Sequence, residues 1–152
     1  MSLWGPGPFD NDDGADWFAD LRDEVSLESI REALEEITEP GHVGYLDVAD
    51  GAEAIAAAEV LAELLGSPGD EAILNEEEHA DMVKALKKEL KNETKRDLKK
   101  LVKQAIQALD IIVNDTENSE LRQMWEEQAD MMPQWTAATT TLLNRLRTFA
   151  AN

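Results

Sequence analysis

Residues 52–65 read Ala-Glu-Ala-Ile-Ala-Ala-Ala-Glu-Val-Leu-Ala-Glu-Leu-Leu, and this run restricts the fold more than any other part of the chain. Alanine, leucine and glutamate all favour helix. Apolar residues cover most of the circumference such a helix would have, and a helix apolar nearly all round is buried among neighbours. Alanine side chains let those neighbours come close, so the run belongs at the centre of a helical bundle. Its glutamates and its length rule out a bilayer span. Only Glu59 and Glu63, four residues apart, form a stripe that asks for water. A narrow solvated stripe is the plainer reading. If the stripe were buried, like charges at this spacing would raise one carboxyl pKa and create a candidate general acid.

The flanking segments follow the same period. Asp10-Asn11-Asp12-Asp13 precedes Trp17, Phe18 and Leu21, and a first helix starts within that cluster, with acids at the positive end of its dipole. Ser26 caps a second helix on Leu27, Ile30, Leu34 and Ile37, ended by Pro40-Gly41. Residues 42–49 read as an extended, unpaired connector. Asp50 and Glu53 resemble a capping box for the third helix, which Gly66 and Pro68 close. Residues 76–91 and 94–113 predict a fourth and a fifth helix with a break at Asn92. Ser119 caps a sixth, and Pro133 restarts the chain into a last one on Trp135, Leu142, Leu143, Leu146 and Phe149. The expected architecture is all-α, a compact bundle of about six to seven short helices.

Residues 1–9 are too rich in glycine and proline for regular structure and form an extended N-terminal segment. Trp4 and Phe9 lie within it, so it is expected to fold back and cover the core. At 152 residues, with 43% hydrophobic side chains, the chain reads as a single helical domain over residues 1–152 with an adequate core. It has no cysteine, which excludes disulfides, thiolate metal sites and cysteine nucleophiles. No basic and apolar leader opens the sequence, so a cytoplasmic location is expected.

The formal net charge is −19 and is unevenly distributed. Residues 1–83 carry 23 acidic and 2 basic side chains, whereas residues 84–103 carry 9 basic and 3 acidic. Such asymmetry marks a partner surface or a lysine-rich helix lying against an acidic one. The overall field disfavours nucleic acid and anionic membranes. The basic residues from Lys84 to Lys103 recur at helical spacing, as on a solvated face. That stretch lacks the aromatics and glycines of a nucleic-acid reader, and an acidic partner or self-association into a homo-oligomer is the alternative use.

Candidate chemistry is sparse. Asp10 to Asp13 are oxygen-rich, as calcium or magnesium sites are, but the calcium-loop spacing fails because Gly14 and Leu21 stand where acids are needed. Helix capping explains the same residues. Glu-x-x-His occurs at Glu39–His42 and Glu76–His79. A carboxylate-bridged di-metal bundle needs both copies on helices, and Pro40-Gly41 denies that to the first. No phosphate loop or nucleophile elbow is present. No cofactor and no catalytic residue is expected.

The opening run from Trp4 to Trp17 resembles the start of a bacterial family, domain of unknown function 4259. Tyr45-Leu46-Asp47, the run Ala56 to Ala62, Ser119 to Arg122 and Trp125 to Glu127 resemble later blocks of that family in the same order. The resemblance implies one helical domain and brings no activity with it. The lysine-rich stretch is not part of the resemblance. The expected function is a non-catalytic acidic interaction, regulatory or inhibitory module for a basic protein partner. Its candidate surface residues are Trp4, Asp10, Asn11, Asp12, Asp13, Glu59 and Glu63. The competing expectation is a metal-binding protein or small enzyme using an acidic cluster, either Asp10 to Asp13 or Glu59, Glu63, Glu76 and His79.

Overall fold

The computed structural model describes residues 5–39, 46–69, 72–115 and 119–151. These contain seven α-helices: α1 (Asp12–Asp23), α2 (Leu27–Thr38), α3 (Val48–Leu64), α4 (Ala80–Lys91), α5 (Lys95–Asn114), α6 (Glu120–Glu127) and α7 (Met132–Ala151). Two single 3-10 turns, Ile73–Asn75 and Glu77–His79, lead into α4. The described residues hold no strand, and the all-α expectation stands. Trp4, Pro40, Gly41 and His42 lie outside the described residues.

The caps are set by local chemistry. Asn11 Oδ1 accepts from Gly14 N at 2.6 Å, Ser26 Oγ from Glu28 N at 3.2 Å, and Thr94 Oγ1 from Asp97 N at 3.0 Å. Ser119 caps α6 by accepting from Arg122 N. Each satisfies an amide that the helix cannot satisfy internally. At the other end of α3, Gly66 adopts φ +91°, and Ser67 N donates to Ala62 O at 3.0 Å. That left-handed turn suits glycine and terminates the helix.

Three boundaries differ from expectation. Helix α3 begins at Val48 under an Asp47 cap, because Asp47 Oδ1 reaches Asp50 N at 2.8 Å. The residues before α4 form 3-10 turns rather than the first turns of one helix. The connector is not wholly unpaired: Leu46 makes an isolated parallel bridge to Ser119, with Glu120 N donating to Leu46 O at 2.9 Å.

Helix α3 is the hub. It packs against α1, α2, α4, α5, α6 and α7. Ala54, Ala56, Ala57 and Ala58 are fully buried, as the alanine-rich run requires. A Cβ on Gly51 would lie 3.3 Å from Leu121, which marks close approach of α3 to α6. Around this hub the apolar stripes of the other helices join one hydrophobic cluster, including Leu34, Leu86, Leu109, Trp125 and Leu146. Trp125 and Trp135 stack at 6.0 Å between α6 and α7. Of the glycine- and proline-rich opening, residues 5–10 are described. Phe9 lies 4.8 Å from Phe18 of α1, and Pro6, Gly7 and Pro8 border a crevice floored by both tryptophans. No helix among the described residues is long and apolar enough to cross a membrane.

Candidate functional site

The C-terminal half of α3 faces α7, and there the apolar packing is interrupted. Glu59 is only 5% exposed, so the expected solvated stripe is corrected: half of it lies in the interior. Burying a carboxylate without compensation is costly. Arg145 of α7 supplies the compensation through both ends of its guanidinium. Nη1 donates to Glu59 Oε1 at 2.8 Å and Nη2 to Oε2 at 2.7 Å, the bidentate geometry that arginine alone provides. The same side chain also reaches the turn after α3. Arg145 Nε donates to Ser67 O at 3.1 Å, and Nη2 also donates to that carbonyl.

Glu63 lies one turn further along. Its Oε1 accepts from Leu74 N at 3.0 Å, which fastens the loop before α4 to α3. Burial raises the Glu63 carboxyl to about pKa 8, aided by its hydrogen bond to Glu59 and by the Glu59 charge, with the Leu74 amide and Arg145 pulling the other way. Burial thus holds Glu63 toward its protonated form. Gly69 crosses directly over the ion pair. A Cβ there would sit 3.0 and 3.1 Å from the Glu59 oxygens and 3.2 Å from Arg145 Nη1.

These groups floor a groove of about 590 Å³. Its walls come from Pro6 to Asp10, the Pro68-Gly69 turn, Ile73, and Gln134, Ala137, Ala138 and Thr141 on α7. Three sequence candidates, Asp10, Glu59 and Glu63, thus meet in one groove. Asp10 also organises the opening loop, since its Oδ2 accepts from Gly7 N at 2.9 Å. Asn11 caps α1 and is buried; Asp12 and Asp13 occupy the first turn of α1, where the helix dipole favours acids. They are not drawn into the groove lining, and Trp4 lies outside the described residues.

A second carboxyl is perturbed at the opposite end of α3. Glu53 rises to about pKa 7 through burial first, then through the nearby charges of Asp50, Asp13, Asp47 and Asp20. The Glu-x-x-His pattern at residues 76–79 is brought together, with His79 Nε2 3.5 Å from both Glu76 Oε2 and Glu78 Oε1. Glu59 and Glu63 do not join it, because they are held by Arg145 and Leu74, so among the described residues the four groups Glu59, Glu63, Glu76 and His79 do not converge.

What the groove offers chemically is a carboxyl held toward its protonated form beside a buried ion pair. The fork of Arg145 is already committed to Glu59 and Ser67. Among the described residues, no serine or threonine hydroxyl is paired with a histidine in the groove lining. The missed participant was Arg145. Its signal in the sequence is a charged residue at helical spacing within the core stripe Leu142, Leu143 and Leu146.

The model of one family, described as a domain of unknown function (DUF4259), matches residues 2–138. The chain belongs to that family. The match includes Asp10 to Asp13, Glu59 and Glu63 and ends before Arg145, so the central ion pair joins the matched region to a residue outside it. No curated protein and no solved structure matches the chain.

Proposed function

We propose that this DUF4259 protein is a non-catalytic interaction module, regulatory or inhibitory in use, whose acidic helix faces receive a basic protein partner. One observation carries the reading: most of the exposed acids of α1 and α2 make no ion pair among the described residues. Asp16, Asp20 and Asp23 on α1 and Glu28, Glu32 and Glu36 on α2 all face solvent. Of these six, Glu28 alone is ion-paired, to Arg31 within its own helix at 2.7 Å.

The lysine-rich α4 and α5 could have covered those charges, and α2 does pack against both. The ion pair across that contact nevertheless runs the opposite way, from Arg31 of the acidic helix to Glu93 of the basic hairpin at 3.2 Å. Lys84, Lys88, Lys95 and Lys99 stay exposed. Two unlike surfaces persist side by side, and unpaired charge of one sign steers and selects partners of the other. The enzyme reading finds less support, since among the described residues no nucleophile paired with a base lines the groove beside Glu63.

The test compares the native chain with Asp16→Asn/Asp20→Asn/Glu32→Gln/Glu36→Gln, four exposed positions that leave the core untouched. Both are immobilised and challenged with extract of the native cell. Capture of a basic protein that elutes as salt is raised, and that the variant no longer captures, is the expected result. Equal capture by the two proteins, or salt-insensitive capture, refutes the proposal. Capture of the chain by itself through its lysine face would redirect it to self-association.

A further inference from the structure

We infer that Glu76, Glu78 and His79 form a binding site for one divalent transition-metal ion of the zinc class.

The local chain path makes the site. The 3-10 turn Glu77–His79 is closed by His79 N donating to Glu76 O at 3.0 Å, which brings residues 76 and 79 to the same side. Glu78 Oε1 comes in from the adjoining position. The three potential ligand atoms lie within 4.8 Å of one another. His79 Nε2 stands 3.5 Å from each carboxylate oxygen. Ligand bonds of about 2.0–2.2 Å in tetrahedral geometry set neighbouring ligand atoms roughly 3.4 Å apart, so both contacts match an edge of such a polyhedron.

The imidazole is what separates this cluster from ordinary surface acids. Its side chain is 3% exposed, while Glu76 and Glu78 are 51% and 64% exposed. Phe18 clamps the ring edge-to-face at 5.0 Å. Nδ1 is buried with no hydrogen-bond partner. At 3.5 Å the Nε2 contacts are longer than the usual hydrogen-bond range of about 2.7–3.2 Å. A polar ring this deeply buried normally finds a partner inside the protein. Here its polar contacts are the two exposed carboxylates, arranged around its outward nitrogen.

One rigid nitrogen donor and two adjustable oxygen donors select the metal class. An imidazole ligand suits zinc and its first-row neighbours, whereas magnesium and calcium prefer all-oxygen shells. Exposure of the carboxylates leaves further positions to water, so the ion would be reachable from solution.

Calorimetric titration of the full chain with zinc chloride tests the inference. The native protein is compared with Glu76→Gln/Glu78→Gln, whose changes are exposed and spare the core, and with Glu32→Gln/Glu36→Gln as an equal loss of charge elsewhere. The expected result is one zinc per chain. Affinity falls at least tenfold in the first variant and stays within twofold in the second, with a zinc-dependent shift of the His79 ring resonances. Millimolar magnesium or calcium should not compete. Absence of saturable zinc binding overturns the inference. So does equal weakening in both variants, which would make the binding a property of the diffuse acidic surface.

Discussion

Arg145 and Glu59 stand 86 residues apart in sequence and meet through two parallel hydrogen bonds of 2.8 and 2.7 Å in the interior between α3 and α7. The same arginine holds the carbonyl of Ser67, so one side chain ties the central helix, the turn that ends it and the last helix together. Removing one partner of a buried pair leaves a charge that burial has cut off from water. Arg145→Met is expected to destabilise the protein by about 3–5 kcal/mol. Replacing both partners, as in Glu59→Leu/Arg145→Leu, should recover most of that loss. Urea unfolding of the two variants measures the difference; similar stability for both would show that the pair contributes little.

Glu63 supplies a pH dependence whose sign is fixed by its raised pKa. Below its ordinary value of 4.5 the carboxyl is protonated in both folded and unfolded states, and the folded-state preference is fully present. Between 4.5 and about 8 the folded state keeps a proton that the unfolded chain has released, so stability falls as pH rises. Glu53, raised to about 7, acts in the same direction between 4.5 and about 7. Both groups are partly solvated, so the combined effect after screening is of order 1–3 kcal/mol. Thermal unfolding should show a higher midpoint at pH 5.5 than at pH 8.5. Glu63→Gln should flatten that profile, and an unchanged slope in this variant would remove Glu63 as its source.

How much of this was legible in the sequence depended on the range of the interactions. Caps at Asn11 within its acidic cluster, at Ser26 and at Ser119 and the stop at Gly66 are settled within a few residues, and each was visible. The central position of α3 was legible too, because its alanines leave no polar face to present to water. The state of Glu59 was not. An i,i+4 glutamate pair on an apolar helix reads alike whether it meets solvent or an arginine, and only the return of α7 decides between them. Residues 73–79 escaped for a related reason: the 3-10 turns follow from Leu74 docking on Glu63 and His79 packing on Phe18, both tertiary contacts.

Gly69 gives a steric test of the same region. Its neighbours stand at 3.0–3.2 Å from the position of an added Cβ, and they are the tightly held ends of the ion pair rather than free side-chain tips. Gly69→Ala must therefore displace either the turn or the Glu59–Arg145 contact. A loss of about 1–2 kcal/mol is expected, since overpacking of this kind costs on the order of 1–3 kcal/mol in a filled interior. In an Arg145→Met background the obstruction is partly gone, so the same substitution should cost less. Equal costs in the two backgrounds, measured by urea unfolding, would mean that the turn itself is the strained element.

The alanines of α3 give the sharpest test of the packing. Ala57 is fully buried on a helix that packs against all six other α-helices, so it has no outer face into which a larger side chain could turn. Leucine is as good a helix former as the site could ask for, so propensity predicts almost no penalty for Ala57→Leu. Packing predicts the reverse. Extra methylenes in a close-packed interior force neighbours from their rotamers or separate the helices, at about 1–3 kcal/mol or more. Ala49, half-exposed near the start of the same helix, provides the contrast: Ala49→Leu should be within about 0.5 kcal/mol of the native stability. If Ala57→Leu proved as mild as Ala49→Leu, the interior around α3 would be looser than the burial of its alanines implies, and the close helix approach that organises the bundle would have to be abandoned.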